Sequence, residues 1–135
     1  MSKPFKVIVS AILLLLLASF FLVETVPPRS LTAGRMLVTK RRILQFAGQH
    51  NKLPSTLAEL PAMPNYDTET TDAWNRPLDY SFDDSGIVTL RSLGADRRPG
   101  GDGDNRDMIG VFISRDATGN WHDELAEWKQ DPFKP

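Results

Sequence analysis

An uncharged, strongly apolar segment near the amino terminus limits what this chain can fold into more than any other feature. It runs from Val7 to Val23 and reads VIVSAILLLLLASFFLV. As a helix it would reach roughly 25 Å, which is close to the hydrocarbon thickness of a bilayer. A cleaved signal peptide is the alternative, but its apolar part usually has about 7–15 residues and precedes a small-x-small site. Because this segment is longer and no such site follows it, we predict an uncleaved transmembrane helix.

Charges on either side of the segment predict its orientation. Lys3 and Lys6 precede it and Glu24 follows it, and positively charged flanks stay on the cytoplasmic side. The remainder of the chain then lies in the periplasm of a bacterium, and the protein is a single-pass protein of the bacterial inner membrane. On this basis the chain divides into a cytoplasmic stub with the anchor, a periplasmic domain and a carboxy-terminal tail, at residues 1–28, 29–115 and 116–135.

The spacing of apolar residues predicts an α+β domain after the anchor. Ser30 can cap an amphipathic helix whose apolar residues recur at helical spacing as far as Ala47, and Asn51 supplies a stop signal. The basic run Lys40–Arg42 on this helix is predicted to be a solvated face, with a lipid or partner contact as the alternative. Alternating residues predict three strands near 78–82, 87–91 and 108–114. The expected fold is the amphipathic helix packed on a small three-stranded antiparallel sheet.

Composition excludes several classes of function. Lys and Arg number 16 against 17 Asp and Glu, and this balance argues against nucleic-acid binding. The chain has no cysteine, which excludes disulfides, thiolate metal sites and cysteine nucleophiles. His50 and His122 are isolated from each other, which argues against a zinc site, and no nucleophile elbow or phosphate-binding glycine motif is present. We therefore predict a protein that is not an enzyme and has no small-molecule substrate.

A loop rich in Asp and Gly, between the second and third predicted strands, is the strongest candidate for a binding site. Residues 92–107 contain four aspartates, a serine and several glycines. A hard cation such as calcium takes about six to eight oxygen ligands, which such a loop can supply. The same composition is typical of an ordinary polar turn, and three arginines offset most of the negative charge. The residues by themselves leave both interpretations open.

Three segments, in order along the chain, resemble the major, G-type pseudopilins of type II secretion systems. Asp72–Tyr80 (DAWNRPLDY) is similar to the D-P-W-G-x-P-Y-x-Y segment of that family. Residues 90–109 look like its S-x-G-x-D-G-x-x-G-G-x-G-x-x-D-I calcium loop, and residues 49–60 (QHNKLPSTLAEL) resemble its D-H-G-x-Y-P-T-T-x-x-G-L link. The likeness extends from about Ala33 to Ile109.

The resemblance implies a pseudopilin fold, in which a long amino-terminal helix packs on a small sheet stabilised by bound calcium. Calcium is therefore the expected cofactor. One position departs from the family pattern, since Arg97 stands where the family has glycine. Carried onto matching positions, the family's calcium ligands are a backbone carbonyl and four side chains: the carbonyl of Leu90, and Ser92, Asp96, Asp104 and Asp107.

The amino terminus differs from that of pseudopilins. Phe5 follows Pro4 where the family has Gly, and Val9 stands at the place of a family glutamate. We therefore interpret the chain as a pseudopilin-like domain on a conventional single-pass anchor. The resemblance implies a structural component of a type II secretion or pilus-like apparatus, with other pseudopilins or secretion-apparatus proteins as partners and a possible homo-oligomer. The alternative is a stand-alone envelope domain that binds proteins and never enters a pseudopilus.

Overall fold

The computed structural model describes residues 7–15 and 25–134. Residues 7–15 are helical, and their side chains are exposed. None of the helices in these two ranges combines the length and the hydropathy needed to cross a membrane. Residues 16–23 of the apolar segment lie outside the described residues, so the transmembrane anchor stays a prediction.

Helix α1 (Pro28–His50) forms one side of the domain. It begins two residues before Ser30, so the prediction that Ser30 caps it was wrong. Proline suits the first turn of a helix because its φ is already helical and its missing N–H needs no partner there. The helix ends at His50, and Asn51 follows in the left-handed conformation with a φ of 54°. The predicted stop signal is therefore confirmed.

Three strands form the other side of the domain, and the sequence predicted each of them to within two residues at either end. The strands are antiparallel and lie side by side in the order β1-β2-β3: β1 (Asp79–Phe82), β2 (Ile87–Ser92) and β3 (Met108–Ile113). Between β1 and β2, Oδ1 of Asp83 accepts hydrogen bonds from the backbone N–H groups of Ser85 and Ile87, at 3.0 and 2.9 Å. This local bonding explains why Asp occupies the turn.

The hydrophobic core lies between α1 and one face of the sheet. Alternate residues of β2 and β3 are buried, as the period of two in a strand requires. The buried hydrophobic residues form a single cluster: Ala33, Met36, Ile43, Leu44 and Phe46 from the helix, Leu60 and Leu78 from the connection after it, and Val88, Leu90, Met108 and Phe112 from the strands. The predicted α+β arrangement of an amphipathic helix on an antiparallel sheet is confirmed.

The basic run of α1 is not a solvated face, so that prediction was wrong. Lys40 is 3% exposed and Arg42 is 6% exposed. Burial lowers the pKa of both side chains, and the charge of Arg41 lowers the pKa of Lys40 further. Each buried cation binds backbone oxygens instead of water, because the stem packs in the core while the charged head reaches a carbonyl. Lys40 Nζ donates to Ala126, and the Arg42 guanidinium donates to three carbonyls, those of Leu60, Pro61 and Thr68.

The tail packs along the edge of β3. The backbone N–H of Val111 donates to the carbonyl of Gln130 at 2.9 Å, and the N–H of Lys129 donates to the carbonyl of Val111 at 2.7 Å. The indole of Trp128 meets the ring of Phe112 edge to face, with ring centroids 5.7 Å apart. The tail thereby pairs with backbone groups of the outer strand that would otherwise face solvent.

Candidate functional site: the Asp- and Gly-rich loop

The loop that follows β2 folds back on itself. The backbone N–H of Ala95 donates to the carbonyl of Asp104 at 2.7 Å. Gly94 has a φ of +74°, and a methyl group added to it would lie 2.6 Å from that same carbonyl oxygen. Both observations require glycine at this position. A short 3₁₀ turn, Gly103–Asn105, then leads towards β3.

A buried carboxylate lies next to the start of the loop. Asp72, in the segment before β1, is 2% exposed. Its Oδ2 accepts a hydrogen bond from Ser92 Oγ at 2.8 Å, and its Oδ1 accepts from the backbone N–H groups of Trp74 and Arg76, both at 3.0 Å. The Ser92 hydroxyl in turn accepts from the N–H of Gly94 at 3.2 Å. Asp72 thus joins the segment before β1 to the point where the loop leaves the sheet.

The side chain of Arg76 binds the first part of the loop. Its Nη2 donates to the carbonyls of Gly94 and Ala95, at 2.5 and 3.0 Å. Its Nε lies 3.8 Å from Oδ2 of Asp72, and only 12% of its side chain is exposed. The guanidinium is therefore held between a buried carboxylate and two backbone carbonyls.

The side chain of Arg29 binds the last part of the loop. Arg29 stands in the first turn of α1, and its Nη1 donates to the carbonyls of Gly103 and Arg106, at 3.1 and 2.7 Å. The amino-terminal end of the helix and the far end of the loop are thereby connected.

Two of the predicted calcium ligands lie in β2. Leu90 is fully buried in the core and pairs with Tyr80 on one side and Gly110 on the other. Ser92 is 2% exposed, and its hydroxyl donates to the Asp72 carboxylate. Leu90 therefore belongs to the core of the sheet, and Ser92 belongs to the Asp72 network.

The other three predicted ligands lie in the loop itself. Oδ1 of Asp96 accepts from the backbone N–H of Arg98 at 3.0 Å, and Oδ1 of Asp107 accepts from the N–H of Gly100 at 3.1 Å. Asp104 is exposed. Asp96 thus stabilises a turn, and Asp107 joins two parts of the loop.

Comparison with protein families identifies the family of the chain. A family described as type II secretion system (T2SS), protein G, matches residues 43–111, which is more than half of the chain. The chain belongs to the type II secretion system protein G family. No curated protein and no solved structure matches it significantly.

The match covers most of the candidate site of this protein G family member, but not Arg29. It begins at Ile43 in α1 and ends at Val111 in β3, so it includes Asp72, Arg76 and the whole loop. The resemblance identified from the sequence is confirmed. Membership makes the chain a component of the type II secretion system, and the family is one of structural components of that apparatus, not of enzymes.

Several oxygens near the loop of this protein G family member already bind protein groups. Within residues 7–15 and 25–134, no three His, Cys, Asp or Glu side chains gather as a metal ion would require. Calcium prefers oxygen ligands, but the Ser92 hydroxyl and the carbonyls that the two arginines contact already have protein partners. Of the predicted ligands, the Ser92 hydroxyl is therefore held by the Asp72 network, and the calcium site stays a prediction.

Sequence reasoning missed three residues of this site, namely Arg29, Asp72 and Arg76. Asp72 and Arg76 both lie in the segment that carries the family resemblance, and an Asp that precedes a turn is a usable signal for a buried hydrogen-bond acceptor. No such signal exists for Arg29, because its two contacts join residues 74 and 77 positions apart in the chain.

Proposed function

We propose that this protein G family member is a membrane-anchored, non-enzymatic component of a type II secretion or related pilus-like apparatus. The family match over residues 43–111 carries the proposal, since it covers the end of α1, strands β1 and β2, the loop and most of β3. The apolar segment at 7–23 supports a membrane anchor, and its flanking charges support a periplasmic location for the domain. The expected partners are other pseudopilins, other proteins of the apparatus, or further copies of this chain.

The contacts of the candidate site support a structural role. The Asp72 carboxylate, the Arg76 guanidinium and the Arg29 guanidinium all bind groups of the protein itself. A catalytic site would need a nucleophile or base directed at a substrate, whereas these groups stabilise the backbone. Calcium stabilisation of the domain remains a prediction from the resemblance, and the arginine contacts favour a different stabiliser.

Deletion of the gene in its host tests the proposed function. We expect export of the host's type II cargo to fall to background, because removing a structural component prevents assembly, and the full-length chain supplied from a plasmid should restore export. The measurement is the amount of cargo in the culture medium relative to the amount retained in the periplasm. Normal export in the deletion strain would favour the stand-alone envelope domain, for which the apolar Val9 at the family's glutamate position is the supporting observation.

Single cysteines test the proposed membrane topology. The chain has no native cysteine, so each variant carries one thiol. In spheroplasts treated with a membrane-impermeant maleimide, we expect Asp84→Cys, at the exposed tip of the β1-β2 hairpin, to be labelled. Ser2→Cys is the matched control and should be labelled only after lysis. Labelling of Ser2→Cys but not Asp84→Cys in intact spheroplasts would show the opposite orientation.

A further inference from the structure

We propose that Arg29 and Arg76 together take the structural role of a metal ion in the Asp- and Gly-rich loop, so that the domain folds without calcium. The inference concerns the loop alone, and it holds whether or not the protein acts in secretion.

The two guanidinium groups bind the loop at both of its ends. Arg76 binds two carbonyls at residues 94–95, and Arg29 binds two carbonyls within residues 103–106, with the four N···O distances between 2.5 and 3.1 Å. A bound calcium ion would likewise hold a loop by bringing oxygens from separate parts of it to one positive centre. Two arginines supply the same total charge as one calcium ion, and each can donate to two oxygens at once.

The backbone next to each arginine is fixed, by a buried carboxylate at Arg76 and by the first turn of α1 at Arg29. The backbone N–H of Arg76 donates to the buried Asp72 carboxylate at 3.0 Å, and its side chain is 12% exposed. Arg29 follows Pro28 directly in the first turn of α1. The planar guanidinium donates through a preorganised fork, which lowers the conformational entropy lost for each carbonyl bound.

The same contacts disfavour a cation in the loop. Calcium at any of the four carbonyls would lie next to a guanidinium group, whose positive charge repels a divalent ion. The Asp96 and Asp107 carboxylates each already accept a backbone N–H within the loop. The loop is therefore closed by protein donors at its entry, in its interior and at its exit.

A calcium titration of the full-length chain in mild detergent tests the inference directly. All three tryptophans lie after residue 28, so their fluorescence reports unfolding of the domain. We expect the melting temperature in EDTA, in about 10 mM calcium and in about 10 mM magnesium to agree within about 1 °C. A calcium site with a Kd of about 10⁻⁴ M would raise it by about 10 °C. Such a rise with calcium and not with magnesium would overturn the proposal.

Arginine variants test which groups hold the loop. In Arg29→Met and in Arg76→Met we expect the Ala95 amide, which donates to the Asp104 carbonyl, to exchange its hydrogen about tenfold faster, since hydrogen bonds to a charged group are lost. Arg98→Met is the matched control, because Arg98 is exposed in the same loop and its guanidinium contacts no partner within the described residues. Equal exchange rates in all three variants would refute the role of the two arginines. If Arg76→Met does not fold, two measurements decide whether the proposal holds: amide exchange at Ala95 in Arg29→Met, and the calcium titration of the wild-type chain.

Discussion

Replacement of Asp72 by alanine is expected to lower the free energy of unfolding by about 3–5 kcal/mol. Three donors lose their acceptor at once, namely the Ser92 hydroxyl and the backbone N–H groups of Trp74 and Arg76. The Arg76 guanidinium, whose Nε lies 3.8 Å from Oδ2, also loses its counter-charge where its side chain is only 12% exposed. Urea unfolding of the full-length chain in detergent, followed by tryptophan fluorescence, measures the loss.

Asp79→Ala is the matched control for this variant. Asp79 also pairs with an arginine, Arg91, at 3.0 Å, but its side chain is 60% exposed. Removal of an exposed ion pair of this kind changes stability by about 0–1 kcal/mol. If the two alanine variants unfolded at the same urea concentration, Asp72 would not organise the start of the loop as its contacts indicate.

Four basic side chains of α1 bind backbone oxygens in three irregular segments of the domain, namely the α1-β1 connection, the β2-β3 loop and the tail. Charge-assisted hydrogen bonds of this kind are stronger than neutral ones, and they compensate for the small core that one helix and three short strands can build. The four cations and the residues whose carbonyls they bind are Arg29 with Gly103 and Arg106, Arg35 with Thr71 and Asp72, Lys40 with Ala126, and Arg42 with Leu60, Pro61 and Thr68. The helix therefore organises the loops as well as the core.

The regular elements could be predicted because their signals are local. Residues 78–82 alternate between apolar and polar, and Asp83 is followed three positions later by Gly86, which has a φ of +80°. A few adjacent residues are therefore enough to predict both the strand and the turn. The same holds for the end of α1, where Asn51 readily adopts the left-handed conformation.

The polar contacts could not be predicted in this way because their partners are distant in the chain. A Lys or Arg on a helix face looks solvated in the sequence, whereas Lys40 binds a carbonyl 86 positions away. The aspartates of the loop similarly suggested ion ligands by composition, but Asp96 and Asp107 accept backbone N–H groups of the loop. Composition shows which atoms can bind a cation, and only the folded backbone shows which of them already have partners.

Gly94→Ala should lower the free energy of unfolding by about 3 kcal/mol, because two separate costs combine. The φ of +74° is unfavourable for any residue with a side chain, and the added methyl group would lie 2.6 Å from the Asp104 carbonyl oxygen. That oxygen accepts the Ala95 N–H, so the loop cannot move away without breaking the bond that closes it. Urea unfolding measures the change, and amide exchange at Ala95 should quicken in parallel.

Gly100→Ala separates these two costs. Gly100 lies in the same loop with a φ of +81°, but no atom lies within 4 Å of a methyl group added there. It should therefore show only the conformational cost, about 1–2 kcal/mol, and leave exchange at Ala95 unchanged. The difference in the free energy of unfolding between the two variants measures the cost of the close approach of the Asp104 carbonyl to Gly94. In an ordinary mobile turn, both alanine variants would lose the same free energy of unfolding. In a loop held at both ends by arginines, the loss is larger for Gly94→Ala because the backbone cannot move away from the added methyl group.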